Sequence, residues 1–249
     1  MRIAIAGGSG TVGRRVVEAA REGGHEVVLL TRGSGVDVRD AHAVRVALEG
    51  ADAVVDVLNV GTLHADRATE FFVATTTALL DAGKAAGVAH HVALSIVGVD
   101  RAPHGYYAAK LAQERLVESG GVPWSIQRAT QFHDFARQMY DGARLGPLHL
   151  APRARVQPVE VSEVARRLVE VVEGGPQGHV ADLAGPCEES LARMVRDYAR
   201  AQGATGWIPE ISLPGSLGRA QRDGSLLPGP GAVLGSRTFD GWLEGLRRH

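Results

Sequence analysis

Arg2-Ile3-Ala4-Ile5-Ala6-Gly7-Gly8-Ser9-Gly10-Thr11-Val12-Gly13-Arg14-Arg15 is the stretch on which the reading of this chain turns. Ile3 to Ala6 is a short apolar run of the kind that forms a buried strand. Gly7, Gly10 and Gly13 read G-x-x-G-x-x-G, and Gly8, Gly10 and Gly13 read G-x-G-x-x-G. Thr11 to Glu22 follows with helical apolar spacing at Val12, Val16, Val17 and Ala20. Strand, glycine turn and helix in that order suit a bound pyrophosphate. Glycines permit a tight turn and close backbone approach, and the helix start aims free N–H groups at an anion. The expected cradle is Gly7, Gly8, Ser9, Gly10, Thr11, Val12 and Gly13. The alternative is a glycine turn without a ligand.

Working outward, Gly23-Gly24 ends the helix, and Glu26 to Thr31 reads as a parallel strand covered on both faces. No acidic residue follows it to meet ribose hydroxyls; the run ends Thr31-Arg32-Gly33-Ser34. Arg32 and Arg14 carry the forked donors that suit a 2′-phosphate, so NADP is expected over NAD, which stays possible. Solvation alone is the other account of both arginines. Val36 to Val38 reads as a short third strand, with Asp37 and Val38 placed for the adenine edge. Asp40 to Leu48 is a helix, and Ala53 to Leu58 the fourth strand. That strand runs into Asn59-Val60-Gly61, a loop expected beside the nicotinamide ribose. Asp56 sits inside the apolar run and fits a structural or a functional role equally.

Arg67 to Ala86 is a long helix whose Phe71, Phe72, Leu79 and Leu80 form a packing stripe. His90 to Ser95 is the fifth strand; its adjacent histidines face opposite ways, so no metal site is expected. Tyr106-Tyr107-Ala108-Ala109-Lys110 then opens a helix to Ser119. Spacing of four sets Tyr106 and Lys110 on one face. An ammonium beside a phenol lowers its ordinary value near ~10. Lysine also reaches a ribose, and Ser95 holds a carbonyl oxygen. Ser95, Tyr106 and Lys110 are therefore the expected catalytic set for proton transfer opposite a hydride source. Packing aromatics with a ribose-binding lysine are the alternative, and Tyr107 competes for the same role.

Val122 to Ala129 is the sixth strand. Thr130 at its end is expected to border the nicotinamide, with Gln131 and His133 toward substrate together with Tyr107; for His133 a satisfied structural role is the stronger alternative. Later come a strand over Arg155 to Val161, a helix from Ser162 to Glu173 and a strand over Gly178 to Leu183. A helix over Glu188 to Gln202 follows. Leu213 to Gly235 is a Gly/Pro-rich loop suited to a lid, and Ser236 to Arg248 a final helix. The expected domains are a core over 1–131, with 155–173 packing back onto it, and a smaller substrate or lid region over 132–249.

With both motifs placed, the chain resembles the atypical and extended short-chain dehydrogenase/reductases, in particular their NmrA-like NAD(P)-binding branch. The phrases that carry the resemblance are AGGSGTVGR, LLTRG, SIVGVDRAPHGYYAAKLAQERLVESGGVPWSIQRATQF and VQPVEVSEVARRLVEVV. It implies an α/β Rossmann-like doubly wound parallel sheet with a smaller interleaved C-terminal part. Three functions follow as alternatives: an NAD(P)H-dependent oxidoreductase reducing a small carbonyl with Tyr106 as donor, a cofactor-sensing regulator without turnover, or an epimerase or dehydratase using bound NAD(P) transiently. Two features depart from the family pattern. The loop from Ser95 to Tyr106 is short, and no asparagine matches the one that completes the proton relay in many members.

The bulk numbers agree with a globular enzyme-sized chain. The 249 residues are 45% hydrophobic with net charge −1, so no global field draws nucleic acid or anionic membrane. The single cysteine, Cys187, permits no internal disulfide and makes a cysteine zinc site unexpected. Met1 leads straight into the first strand, so a signal peptide is not expected and the cytoplasm is. A small molecule is the expected partner, with the chain a monomer or homodimer.

Overall fold

The computed structural model describes residues 1–62, 64–146 and 148–246. In chain order the longer elements are β1 (Arg2–Ala6), α1 (Thr11–Glu22), β2 (Glu26–Leu30), α2 (Ala41–Ala47) and β3 (Ala53–Asp56). Then come α3 (Ala65–Ala86), β4 (His90–Ile96), α4 (Tyr106–Ser119), β5 (Trp124–Ala129) and α5 (Phe135–Gly142). The last four are α6 (Val161–Glu173), α7 (Leu191–Ala201), α8 (Gly215–Asp223) and α9 (Phe239–Leu246). The chain divides into two compact units. Met1–Arg128 with Val161–Ala181 is one, and Ala129–Glu160 with Asp182–His249 is the other. The first boundary lies at 128, and the stretch that returns to the first unit is 161–181.

In the first unit the strands lie in the order β5-β4-β3-β1-β2, with Gly178–His179 parallel to β5. β1 runs parallel to both β2 and β3, and β3 parallel to β4. The continuous apolar strands reflect cover on both faces. α1 packs with α6, while α2, α3 and α4 pack in sequence with one another. Ile3, Ile5, Phe72, Leu79, Val92 and Leu168 are fully buried between these layers. This is a Rossmann-like α/β fold in which β1 lies between β3 and β2. The chain leaves β1 toward β2 on one side and later reaches β3 on the other. A crevice therefore opens beyond the carboxyl ends of β1 and β3, where such sheets bind ligands.

The second unit holds α5, α7 and α9 around an aromatic core. Tyr198, Phe239 and Trp242 stack there, with Ala151, Leu191, Met194 and Val195 buried beneath. Its strands are two residues long. Leu183–Ala184 runs parallel to Val233–Leu234, and Leu183 stands opposite Ala129.

Several expected elements differ. Val36–Val38 is no strand, because Asp37 is taken up by a turn: its side chain accepts from Arg39 N at 3.0 Å and its carbonyl from Asp40 N at 2.9 Å. The Arg155–Val161 strand shrinks to Arg155–Val156, paired with Glu189–Ser190, and α6 begins at Val161, ahead of Ser162. Gly178–Leu183 splits into two separate pairings, as the left-handed Gly178 already bends the chain. The Gly/Pro-rich 213–235 stretch contains α8. There Gly218 lets the helix sit on Leu213 O, Arg222 donates to that same carbonyl at 2.6 Å, and Gly224 ends the helix at φ +86. The last helix starts at Phe239, not Ser236; the end expected at Arg248 lies outside the described residues. Among the described residues no helix is long and apolar enough to cross a membrane.

Candidate functional site

The glycine turn lies at the carboxyl end of β1. Gly7 takes φ +88, and a Cβ on it would meet Val57 O at 2.9 Å, so the turn lies directly against the end of β3. A Cβ on Gly13 would meet Gly7 O at 2.1 Å, so only glycine lets α1 start this close to the turn. Gly10 N donates to Gly7 O at 2.9 Å and closes the turn. Gly10 is also the N-cap of α1 and gives it no side-chain cap, and the first turn of the helix holds no acid. The first-turn N–H groups and the positive end of the helix dipole thus face the crevice without a competing anion. These features fit a dinucleotide pyrophosphate.

Around the turn, Arg14 is exposed and donates to Ser9 O at 2.8 Å, which lays its guanidinium across the loop. Arg32 is exposed at the first residue of a short 3-10 turn after β2. Thr31 and Ser34 cap that turn reciprocally. Asp37 is exposed in the following turn, 3.8 Å from Arg39, and Val38 beside it is buried.

The second group of side chains gathers where β3 and β4 end and α4 begins. Asn59 Oδ1 accepts from Val60 N at 2.7 Å and from the Tyr106 hydroxyl at 2.6 Å. The Tyr106 ring lies edge-on to Phe72 with centroids 5.7 Å apart, in a cluster with Ala68, Ala109 and Val60. Tyr107 is half-buried beside it. Burial pushes the Tyr106 phenol well above its ordinary value, with Tyr107 adding to the effect. The lowering expected from Lys110 does not arise, because that side chain is turned elsewhere. Lys110 Nζ donates to Leu94 O at 2.6 Å and to Gln113 Oε1, and lies 4.7 Å from the Phe72 ring centroid. Burial brings its ammonium down to about 8, against smaller opposing effects of Asp56 and Glu114. Ser95 is 3% exposed, and its Oγ has no hydrogen-bond partner among the described residues. A buried hydroxyl without a partner is costly, so a ligand atom would satisfy it.

Gln113 and Asp56 complete the group. Gln113 Nε2 donates to Asp56 Oδ2 at 2.9 Å, and Asp56 Oδ1 accepts from Leu58 N at 3.0 Å. Gln113 escaped the sequence reading. Only its place three residues after Lys110 marked it, as the next position on that helix face. His90 and His91 do face opposite ways. His90 Nε2 lies 2.9 Å from Ser125 Oγ, and His91 lies toward Asp56. One His/carboxylate cluster, Glu114, Glu118 and His179, brings its ligand atoms within 4.8 Å of one another. Its members are already paired: Arg128 takes both Glu114 oxygens, and His179 Nε2 lies 2.8 Å from Glu118.

In the second unit Thr130 is buried. Its hydroxyl donates to Gln157 O at 2.5 Å and its N–H to Leu183 O at 2.9 Å. Gln131 is half-buried and its carbonyl accepts from Val159 N at 2.9 Å. His133 is 1% exposed. Its Nε2 donates to Arg237 O at 3.0 Å, and its ring packs against Phe239 and Trp242. The ring is thus set among the core aromatics of the second unit.

The profile of the NAD(P)H-binding family matches residues 34–174, more than half of the chain. The chain belongs to the NAD(P)H-binding family. No curated protein matches it by sequence. Solved structures share the fold of this NAD(P)H-binding protein at low identity. A nucleoside-diphosphate-sugar epimerase from Pseudomonas aeruginosa superposes with TM-score 0.73 at 17% identity, covering 99% of this chain and 96% of that one. A short-chain dehydrogenase/reductase superfamily protein from Agrobacterium tumefaciens with bound NAD gives 0.69 at 19% identity, covering 100% and 96%. The NADPH-dependent quinone oxidoreductase QOR2 from Escherichia coli, complexed with NADPH, gives 0.66 at 18% identity, covering 97% and 90%.

Proposed function

We propose that this chain is an NADP(H)-dependent oxidoreductase that reduces a small carbonyl compound, with Tyr106 as the proton donor. One observation carries the reading. The Tyr106 phenol donates to Asn59 just beyond β3, beside the Val57 backbone on which the Gly7 turn rests. A protonated phenol is the form that carbonyl reduction consumes. NADPH, when bound, supplies the hydride. The glycine turn and the N-terminus of α1 would hold its pyrophosphate, and Arg14 and Arg32 would pair with its 2′-phosphate. Ser95 donates its unpartnered hydroxyl to the substrate oxygen. Tyr106 then gives its proton to that oxygen and is reprotonated from solvent, so one hydride and one proton together yield the alcohol. Quinones belong among the first substrates to try, since a structural neighbour is a quinone oxidoreductase.

The test is Tyr106→Phe, assayed for NADPH oxidation with 1,4-benzoquinone and a panel of small ketones and aldehydes. NADPH binding is measured separately by fluorescence. Turnover lost with binding kept supports the donor role; turnover kept removes it. A second reading, a cofactor-binding regulator without catalysis, draws support from Lys110. Its ammonium is spent on Leu94 O and Gln113, not on the phenol. That reading predicts NADPH binding with no hydride transfer to any member of the panel.

A further inference from the structure

Asp56 breaks the apolar run of β3 and is fully buried. Its two oxygens serve different ends of the site. Oδ1 accepts from Leu58 N, one residue before Asn59. Oδ2 accepts from Gln113 Nε2. A carboxylate only accepts, so Gln113 must turn its NH2 toward Asp56 and its carbonyl oxygen the other way. On that other side is the ammonium of Lys110. Turned over, the amide would set donor against ammonium and acceptor against carboxylate, and both bonds would be lost.

Gln113, itself 1% exposed, is thus a neutral spacer between a buried anion and a buried cation. Direct contact with Asp56 would hold Lys110 firmly charged. Through the amide that support is weaker. The other groups facing Lys110 do not replace it. Glu114 is held bidentately by Arg128, His91 is buried and kept neutral on the Asp56 side, and Phe72 offers a ring face. The residue type matters as well. Of the 27 lysines and arginines in the chain, only Lys84 and Lys110 are lysines. Arginine stays charged at any ordinary pH, whereas a buried lysine changes its charge readily.

We propose that Asp56 and Gln113 are positioning residues of the candidate site. The carboxylate sets the orientation of the amide, and the amide holds Lys110 Nζ in place against Leu94 O. The same carboxylate, through Leu58 N, sets the loop that carries Asn59 to the Tyr106 phenol. One buried anion therefore positions both members of the Tyr/Lys pair. The inference rests on the proposed role of Tyr106.

The experiment reads Lys110 without turnover. Lysine labelled with 13C at Cε gives two signals, and Lys84→Arg assigns them, Lys84 being exposed. In the unaltered protein the Lys110 signal is expected to titrate near 8 and that of Lys84 near ~10.4. Gln113→Met and Asp56→Asn each remove support for the ammonium, and each is expected to lower the Lys110 midpoint by about one unit. Gln113→Glu sets an anion directly beside the ammonium and is expected to raise it by about as much. A midpoint unmoved in all folded variants overturns the proposal. So does a Lys110 signal that titrates together with Lys84 in the unaltered protein, a result that needs no variant to fold. NADPH oxidation assayed on the same samples keeps the two ideas apart. Expected shifts without any turnover sink the oxidoreductase reading and support the network; turnover with unmoved midpoints sinks the network alone.

Discussion

Tyr106 donates its phenol hydrogen to Asn59 Oδ1 at 2.6 Å, across 47 residues of sequence. A hydrogen bond between neutral groups contributes about 1 kcal/mol net. A double-mutant cycle of Tyr106→Phe and Asn59→Ala in urea unfolding is therefore expected to give a coupling of about 1 kcal/mol. Additive effects of the two substitutions would mean that the phenol and the amide do not meet in solution.

The two halves of this contact were legible to different degrees. Tyr106–Ser119 is the helix that its apolar spacing and the Y-x-x-x-K motif mark, and Thr11–Glu22 likewise follows from its glycine punctuation. Both are local patterns that one stretch of chain carries whole. The Asp56–Gln113–Lys110 arrangement is not local. It arises from the parallel register that sets Asp56 opposite Ala93 on β4, which brings the end of β3 beneath α4. From sequence, Asp56 is only an acid in an apolar run, and nothing pairs it with a glutamine 57 residues later. Helix α8 was hidden for another reason. Its glycines are ordinarily breakers, but here Gly218 is needed for a close approach to Leu213 O.

Glycine 13 and glycine 10 are expected to differ sharply when a methyl group is added. At Gly13 the new Cβ would lie 2.1 Å from Gly7 O, which is backbone and cannot swing away. Gly13→Ala is therefore expected to cost about 1–3 kcal/mol of stability and to abolish NADPH binding measured by fluorescence. At Gly10 the nearest atom is Gly7 O at 3.3 Å, so Gly10→Ala is expected to weaken binding far less.

Cofactor choice is expected to rest on two exposed guanidinium groups. Arg14→Ala and Arg32→Ala should each weaken NADPH binding about tenfold while leaving NADH nearly unchanged, the difference being one charge-assisted contact to the 2′-phosphate. Titration of both cofactors against both variants checks it. Equal losses for NADH and NADPH would take the arginines away from the 2′-phosphate.

Arg128 is expected to be a stability residue, not a site residue. It takes both oxygens of Glu114, whose side chain is 2% exposed, and also pairs with Asp100 at 3.0 Å. Arg128→Met leaves a buried carboxylate without its cation, a change that typically costs about 3–5 kcal/mol. Glu114→Gln with Arg128→Met together should recover part of that loss. Urea midpoints of the three variants measure it.

Lys110 makes stability depend on pH in a direction opposite to that of a lysine held in an ion pair. Burial lowers its folded-state value to about 8, below the ~10.4 of an unfolded chain. Between those values the unfolded state binds more protons than the folded one, so this group's contribution to stability rises with pH. Below 8 both states are charged, and the folded protein carries the whole cost of the buried ammonium. Tyr106 acts later and in the opposite sense. Its raised value means that stability falls only once pH exceeds the ordinary phenol value near ~10. Lys110→Met removes the first effect. The stability of the unaltered protein relative to this variant should therefore climb between pH 8 and 9.5, by up to about 1.4 kcal/mol per pH unit. Urea unfolding of both proteins at pH 7, 8, 9 and 9.5 gives the comparison, and a flat difference across that window would place the Lys110 ammonium in water.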